Sequence, residues 1–282
     1  MEQTKQNEQL TKTAEELEAE KKKAAEEAAK KKAEEEAALA KQNIFTIKKC
    51  IERTCEKMRK EQLQSQNLAN KDVFNAHANA LLWVANNVVL AHQRRKFVVD
   101  DNNRDVLRFL LYYFNGCPLA EEVFPGRGYK LHKHIMLQGA VGTGKTLLMQ
   151  VFSEYLNITE NPRFFHNLSV TQMVNYYTLH NNLDRYTFNE EENKGFKCEP
   201  VNICLNDIGV QSTKFYGTDT ETLTNEFLHA RNEIWTQYHK MAHLTTNLTT
   251  EQLKQKYRDG FGRLLDRFKT YNIIPLTGDS RR

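Results

Sequence analysis

The residues best suited to chemistry lie in one run, Gly139-Ala140-Val141-Gly142-Thr143-Gly144-Lys145-Thr146, followed by Leu147. The run fits G-x-x-x-x-G-K-[ST], the phosphate-binding P-loop or Walker A pattern. A polyphosphate needs several backbone N–H groups aimed at one point, so the loop must curl tightly. Glycine at 139, 142 and 144 removes the Cβ atoms that would obstruct both the curl and the phosphate. Lys145 supplies a point charge for the β- and γ-phosphates, and the Thr146 hydroxyl is a ligand for Mg²⁺. The positive end of the following helix adds to the field. The chemistry read here is binding of Mg-ATP by residues 139–147.

Such a loop works only between a strand and a helix. His134-Ile135-Met136-Leu137-Gln138 is a short apolar run of the kind buried in a parallel sheet. Beyond the loop, Leu148, Val151, Phe152, Tyr155 and Leu156 recur at helical spacing. Further on the pattern predicts a strand at Arg163–His166, a helix opened by Ser169, and a polar, irregular stretch over 179–198. It then predicts a strand at Val201–Leu205, a helix over 220–238, a strand at Met241–Thr246, helices over 251–257 and 262–268, and a last strand at Tyr271–Pro275. Alternating strands and helices after a P-loop give an α/β fold, a parallel sheet with helices on both faces. Ligands in such sheets sit at the C-terminal strand ends.

The preceding region is helical. Residues 1–40 hold eight Lys and eleven Glu, a net of −3, which leaves +7 on 41–282 out of the total of +4. Only Leu10, Leu17 and Leu39 are large and apolar there, so 1–40 reads as a solvated, charged extension with no heptad seam, and no stable coiled coil is expected. Residues 41–66 continue helical with Ile44, Phe45, Ile47, Ile51 and Met58. Residues 67–95 read as an amphipathic helix with Phe74, Ala78, Leu81, Leu82, Ala85, Val88 and Val89 on one face. It ends at Arg94-Arg95-Lys96, a cluster that fits either phosphate contact or complementation of a helix C-terminus. Asp100-Asp101-Asn102-Asn103 caps a helix over Arg104–Phe114. The expected division is 1–40 extension, 41–98 helical N-terminal domain, and 99–282 catalytic domain.

The cysteines at 50, 55, 117, 198 and 204 are odd in number and show no disulfide or zinc spacing, which points to a reducing, cytoplasmic setting. No signal peptide is read at the start, and the most apolar stretch, residues 80–91, is too short to span a bilayer, so no membrane is expected.

Three further segments follow the P-loop in an order that resembles the AAA+ ATPases of the DnaC type, the replicative helicase loaders, and their IstB-like relatives. Residues 203–211 (Ile-Cys-Leu-Asn-Asp-Ile-Gly-Val-Gln) resemble the Walker B segment, Thr245-Thr246-Asn247-Leu248 the sensor-1 segment, and residues 257–268 the arginine-finger segment. Gly278-Asp279-Ser280-Arg281 is similar to the family's C-terminal pattern. The likeness covers about residues 102–282 and implies an AAA+ core.

The resemblance makes Asn247 the positioner of the attacking water, and Arg267, with Arg263 as second choice, the finger that reaches a neighbour's ATP. The family's Asp-Glu pair is replaced by Asn206-Asp207. In one register Asn206 takes the magnesium position and Asp207 that of the catalytic carboxylate; in the other Asp207 is the magnesium residue and no carboxylate base follows. Both imply that ATP is bound and hydrolysed slowly. The partners implied are a DnaB-like hexameric helicase docked on 41–98, single-stranded DNA, and further copies of the chain assembling through the ATP-bound AAA+ domain. An IstB-like transposition helper shares the same core motifs, and an ATP-binding adaptor with negligible turnover fits the Asn206-Asp207 departure. A small-molecule kinase would need an arginine-rich lid, which is not seen.

Overall fold

The computed structural model describes residues 2–191, 199–209, 214–215, 217–257 and 263–281; the side chains at 2–18, 20, 57–67, 214–215, 218 and 263–264 are outside that description. Val210 and Gln211 of the Walker B segment, residues 258–262 of the finger segment and Cys198 therefore lie outside the described residues. The chain divides into two compact units, residues 1–61 and 62–282.

The first unit is helix alone. Helix α1 runs Glu2–Asn67 without interruption. Its described side chains through residue 56 are exposed. Helix-favouring Ala, Glu, Lys and Gln, with Glu26→Lys30 and Glu27→Lys31 pairs at i, i+4, account for its persistence in water.

The second unit is a three-layer α/β structure. Helix α2 (Lys71–Val84) is capped by Asn70, whose side chain accepts the N–H groups of Asp72 and Val73. It passes into one π turn, Ala85–Val89, and stops there, short of the helix expected to residue 95. Helix α3 (Arg104–Phe114) buries seven side chains, from Val106 to Phe114. Its N-cap is Asn103, whose amide braces the preceding loop by donating to the Val98 carbonyl and accepting the Asp100 N–H, with no capping bond to the helix.

Then come β1 (His134–Gln138), α4 (Lys145–Ile158), β2 (His166–Ser169), α5 (Val170–His180) and β3 (Ile203–Ile208). A two-residue hairpin pairs β4 (Lys214–Phe215) with β5 (Thr218–Asp219) and leads into α6 (Thr220–Tyr238). The remaining elements are β6 (Ala242–Thr246), α7 (Thr250–Lys256), α8 (Arg263–Phe268) and β7 (Tyr271–Pro275).

The five-stranded sheet is parallel, in the order β2-β3-β6-β1-β7. Alternate residues of its strands face opposite layers. Ile135 and Leu137 join a core with α2, α3 and α4, while Met136, Leu205 and Leu244 join a core with α5 and α6.

Two strands sit later than the sequence pattern placed them. Phe165 is buried but precedes β2, and Arg163 donates to the Tyr113 carbonyl at 2.6 Å instead of extending the strand. β3 begins at Ile203 and carries Asn206 and Asp207 inside it, because Thr245 and Thr246 of β6 supply side-chain partners that keep the ladder going. Residues 41–67 belong to α1, while Leu68, Leu81, Val84 and Ala85 lie in one core with Phe114, Phe152 and Tyr155.

Two buried histidines lock β1 to β6. His134 Nδ1 accepts the Ala242 N–H at 3.2 Å, and His243 Nδ1 accepts the Ile135 N–H at 3.1 Å. Each needs a neutral ring to accept. Burial drives the His134 pKa down to about 3 and that of His243 well below its ordinary value.

Candidate nucleotide site

The P-loop leaves the C-terminal end of β1 and enters α4. Its cradle depends on missing side chains. A Cβ on Gly139 would stand 2.1 Å from the Leu276 carbonyl oxygen, and one on Gly142 (φ +87) would stand 2.3 Å from Ser280 Oγ. Gly144 is the N-cap of α4, and no side chain caps the helix, so the first-turn N–H groups remain directed at the cavity mouth. Lys145 is 4% exposed and its ammonium donates to the Gly139 and Ala140 carbonyls, both at 2.8 Å. The ammonium thus sits inside the loop's curl, where a bound phosphate would meet it.

A cavity of about 370 Å³ opens here, lined by Val141, Gly142, Gly144–Leu147, Asp207, Asn247, Arg95 and Arg281. Lys145, Thr146, Asp207 and Asn247, from three places in the sequence, are brought together in it. Asp207 reaches it through a local irregularity. The pairing of β3 with β6 shifts register between Leu205 and Ile208, and Asp207 has φ +60. Asp and Asn tolerate that left-handed conformation better than other side chains. The Asp207 N–H is held by Thr245 Oγ1 at 2.9 Å, which fixes the kink.

Asn206 is not brought to the cavity. It is 3% exposed and spans three strands: its amide oxygen accepts from Thr245 Oγ1 at 3.2 Å, and its nitrogen donates to Asn167 Oδ1 at 3.3 Å and the Leu168 carbonyl at 3.4 Å. A polar residue at this buried position is explained by those bonds alone. Of the two neighbours, Asp207 lines the cavity together with Thr146, and Asn206 does not. Thr146 and Asp207 are the hard oxygen donors of the lining, a set suited to Mg²⁺. Among the described lining residues Asp207 is the only carboxylate.

The finger candidates are elsewhere. The Arg263 side chain lies outside the described residues. Arg267 is turned partly inward beside His134, Asn232 and Tyr271, near the start of β1 and thus at the opposite end of the sheet from the P-loop. Its Nη1 is buried without a hydrogen-bond partner among the described residues, and burial lowers its pKa.

Two arginines at the cavity were not assigned to it from sequence. Arg281 donates its backbone N–H to the Gly142 carbonyl at 2.9 Å and forms an ion pair with Asp100 at 2.8 Å, holding that carboxyl below its usual pKa. Arg95 Nη1 donates to the Arg281 carbonyl at 2.9 Å. Residues 276–281 thus lie against the P-loop. The basic run at 94–96 and the Gly278–Arg281 pattern were the available signals, but neither carries the distance information that places it here.

A parallel sheet ordered β2-β3-β6-β1-β7, with the glycine loop joining β1 to α4 and a cavity at the strand C-termini, defines an α/β core with a candidate nucleotide site. No family model matches the chain, and no curated protein matches it. Among solved structures it is similar to AMPPCP-bound DnaA from Aquifex aeolicus, with 19% identity, 65% of this chain and 49% of that chain covered, and a TM-score of 0.44. It is similar to domain III of the Thermotoga maritima replication initiation protein DnaA, with 18% identity, 64% and 65% covered, and a TM-score of 0.45. It is also similar to a proposed primosome component from Streptococcus pyogenes serotype M3, with 16% identity, 66% and 85% covered, and a TM-score of 0.44. The chain spans about half the length of the Aquifex DnaA chain.

Proposed function

We propose that this chain is an ATP-dependent loader that delivers a DnaB-like replicative helicase onto single-stranded DNA and turns ATP over slowly. The observation that carries the reading is the meeting of Lys145, Thr146, Asp207 and Asn247 around one cavity, from motifs spaced as in DnaC-type loaders. Lys145 and the α4 N-terminus hold the phosphates. Thr146 and Asp207 would hold Mg²⁺, whose chemistry there would be neutralisation of phosphate charge. Asn247 orients the attacking water. Arg267, or Arg263, acts on the ATP of a neighbouring copy when ATP-bound cores assemble. With Asp207 taken up by the metal, no other carboxylate among the described lining residues is left as general base, and turnover is slow for that reason. The same observation favours a second reading, an ATP-binding adaptor with negligible turnover.

The helicase contact falls on the helical region 41–98, where Trp83 is an exposed apolar side chain. Capture of partners from the native cell by tagged full-length chain, with Mg-ATP present, tests the assignment. Retention of a hexameric helicase supports loading; retention of a transposase instead would transfer the chain to the IstB-like helpers.

A further inference from the structure

The first unit leaves an apolar face uncovered. Because α1 is continuous, Ala33, Ala37, Ala40, Ile44, Ile47 and Ile51 fall on a single line at spacings of 4, 3, 4, 3 and 4 residues. That is the a/d seam of a coiled coil. Ile44, Ile47 and Ile51 are 55%, 60% and 57% exposed. The seam passes through residue 40, so it is visible only once the alanine-rich and isoleucine-bearing segments are known to share one helix. Its 19 residues extend roughly 28 Å at about 1.5 Å per residue.

We propose that this face is covered by the same face of a second copy of the chain, paired antiparallel about residue 42. Two features of the helix select this occupant and this direction.

The first is size. An antiparallel pair sets Ile51 against Ala33 of the second copy, Ile47 against Ala37 and Ile44 against Ala40, and symmetry repeats the three layers. Every layer is large against small, so one interaxial distance serves the whole contact. A parallel pair sets isoleucine on isoleucine at one end and alanine on alanine at the other, which two straight helices cannot satisfy together.

The second is charge. Residues 26–36 hold five Glu and three Lys, whereas 48–60 hold six Lys or Arg and two Glu. Antiparallel pairing lays the acidic segment of each copy along the basic segment of the other, with Glu34 and Lys48 at flanking e positions across the seam. Parallel pairing lays basic along basic. The contact is isologous, as expected of a two-fold dimer.

The pairing requires no nucleotide, whereas assembly through ATP-bound cores does, so the two are separated by working without nucleotide. Full-length chain is examined by sedimentation equilibrium, wild type against Ile47→Glu. Position 47 is exposed on an isolated helix, so the variant keeps its helix content by circular dichroism. A self-associating wild type and a dimer weakened at least tenfold in the variant are expected.

Direction is read from cysteine cross-links. In a Cys50→Ser, Cys55→Ser background, Asn43→Cys should form an interchain disulfide on mild oxidation, since residue 43 of each copy lies beside the two-fold axis. The native Cys50 thiols would be about 24 Å apart along the axis at ~1.5 Å per residue and should not link. A chain that stays monomeric at every concentration overturns the proposal. So does linkage of native Cys50 to Cys55 of the other copy, which reports a parallel pair. Loss of helicase capture by Ile47→Glu from a chain that is monomeric to begin with would assign the seam to that partner instead.

Discussion

Exchanging one amide for a carboxylate at Asn206, and the reverse at Asp207, gives two nearly isosteric substitutions one residue apart with opposite expected effects. Asn206→Asp places a charge at a site 3% exposed and removes the side-chain donor to Asn167 Oδ1 and the Leu168 carbonyl. An unsatisfied or forced-neutral group there costs about 1–3 kcal/mol. At about 2–4 °C per kcal/mol for a domain of this size, melting should fall by roughly 2–12 °C. Mg-ATP affinity should hardly change, because Asn206 does not line the cavity. Asp207→Asn keeps a residue type that accepts φ +60, so melting should move little. It removes the lining carboxylate, and Mg-ATP should bind about tenfold more weakly, ~1.4 kcal/mol, while ATP in EDTA binds as to the wild type. The assays are thermal melting and calorimetric titration on the same preparations. Equal loss of Mg-ATP affinity in both variants, with Asn206→Asp melting normally, would refute the placement of these side chains.

Other expectations follow from the same geometry. Arg267→Ala should leave ATP binding by isolated subunits intact and abolish hydrolysis that depends on assembly or DNA; normal hydrolysis at every protein concentration excludes it as the finger. Stability should fall in acid, because the unfolded chain takes up protons below pH 6.5 that folded His134, at about 3, refuses. At pH 5 that is roughly 2 kcal/mol from His134 alone, with His243 acting in the same direction; urea midpoints identical at pH 7 and pH 5 would contradict it. A chain beginning at residue 62 should retain nucleotide binding, whereas one beginning near 100 should melt lower because it loses Leu81, Val84 and Ala85 from the core. Equal melting of the two would show that α2 does not belong to that core.

The tight glycine loop between strand and helix, the alternation that builds the sheet, and the limits of α3, α6 and β7 were all legible in the sequence. Each of those signals is local: glycines where curvature is needed, apolar residues at the period of the element. What it did not disclose depends on distance. Asn206 and Asp207 are neighbours of opposite destiny, and only Thr245, Thr246 and the irregular pairing of β3 decide which one turns toward the P-loop. The run Arg94–Lys96 was ambiguous because a basic cluster carries no address; Arg95 gains one by bonding to the Arg281 carbonyl, 186 residues later. The π turn after Val84 and the late start of β2 are likewise set by packing, which overrides the helical and apolar patterns at those points. Helix α1 runs through residue 40, because composition changes there while helix propensity does not.

The central claim is that residues 139–147 bind Mg-ATP with Lys145 at the phosphates, and isothermal titration of wild type and Lys145→Ala with Mg-ATP tests it most directly. Removing the ammonium should weaken binding at least tenfold, about 1.4 kcal/mol or more, in a variant whose circular dichroism spectrum matches the wild type. Undiminished binding by that folded variant would contradict the account.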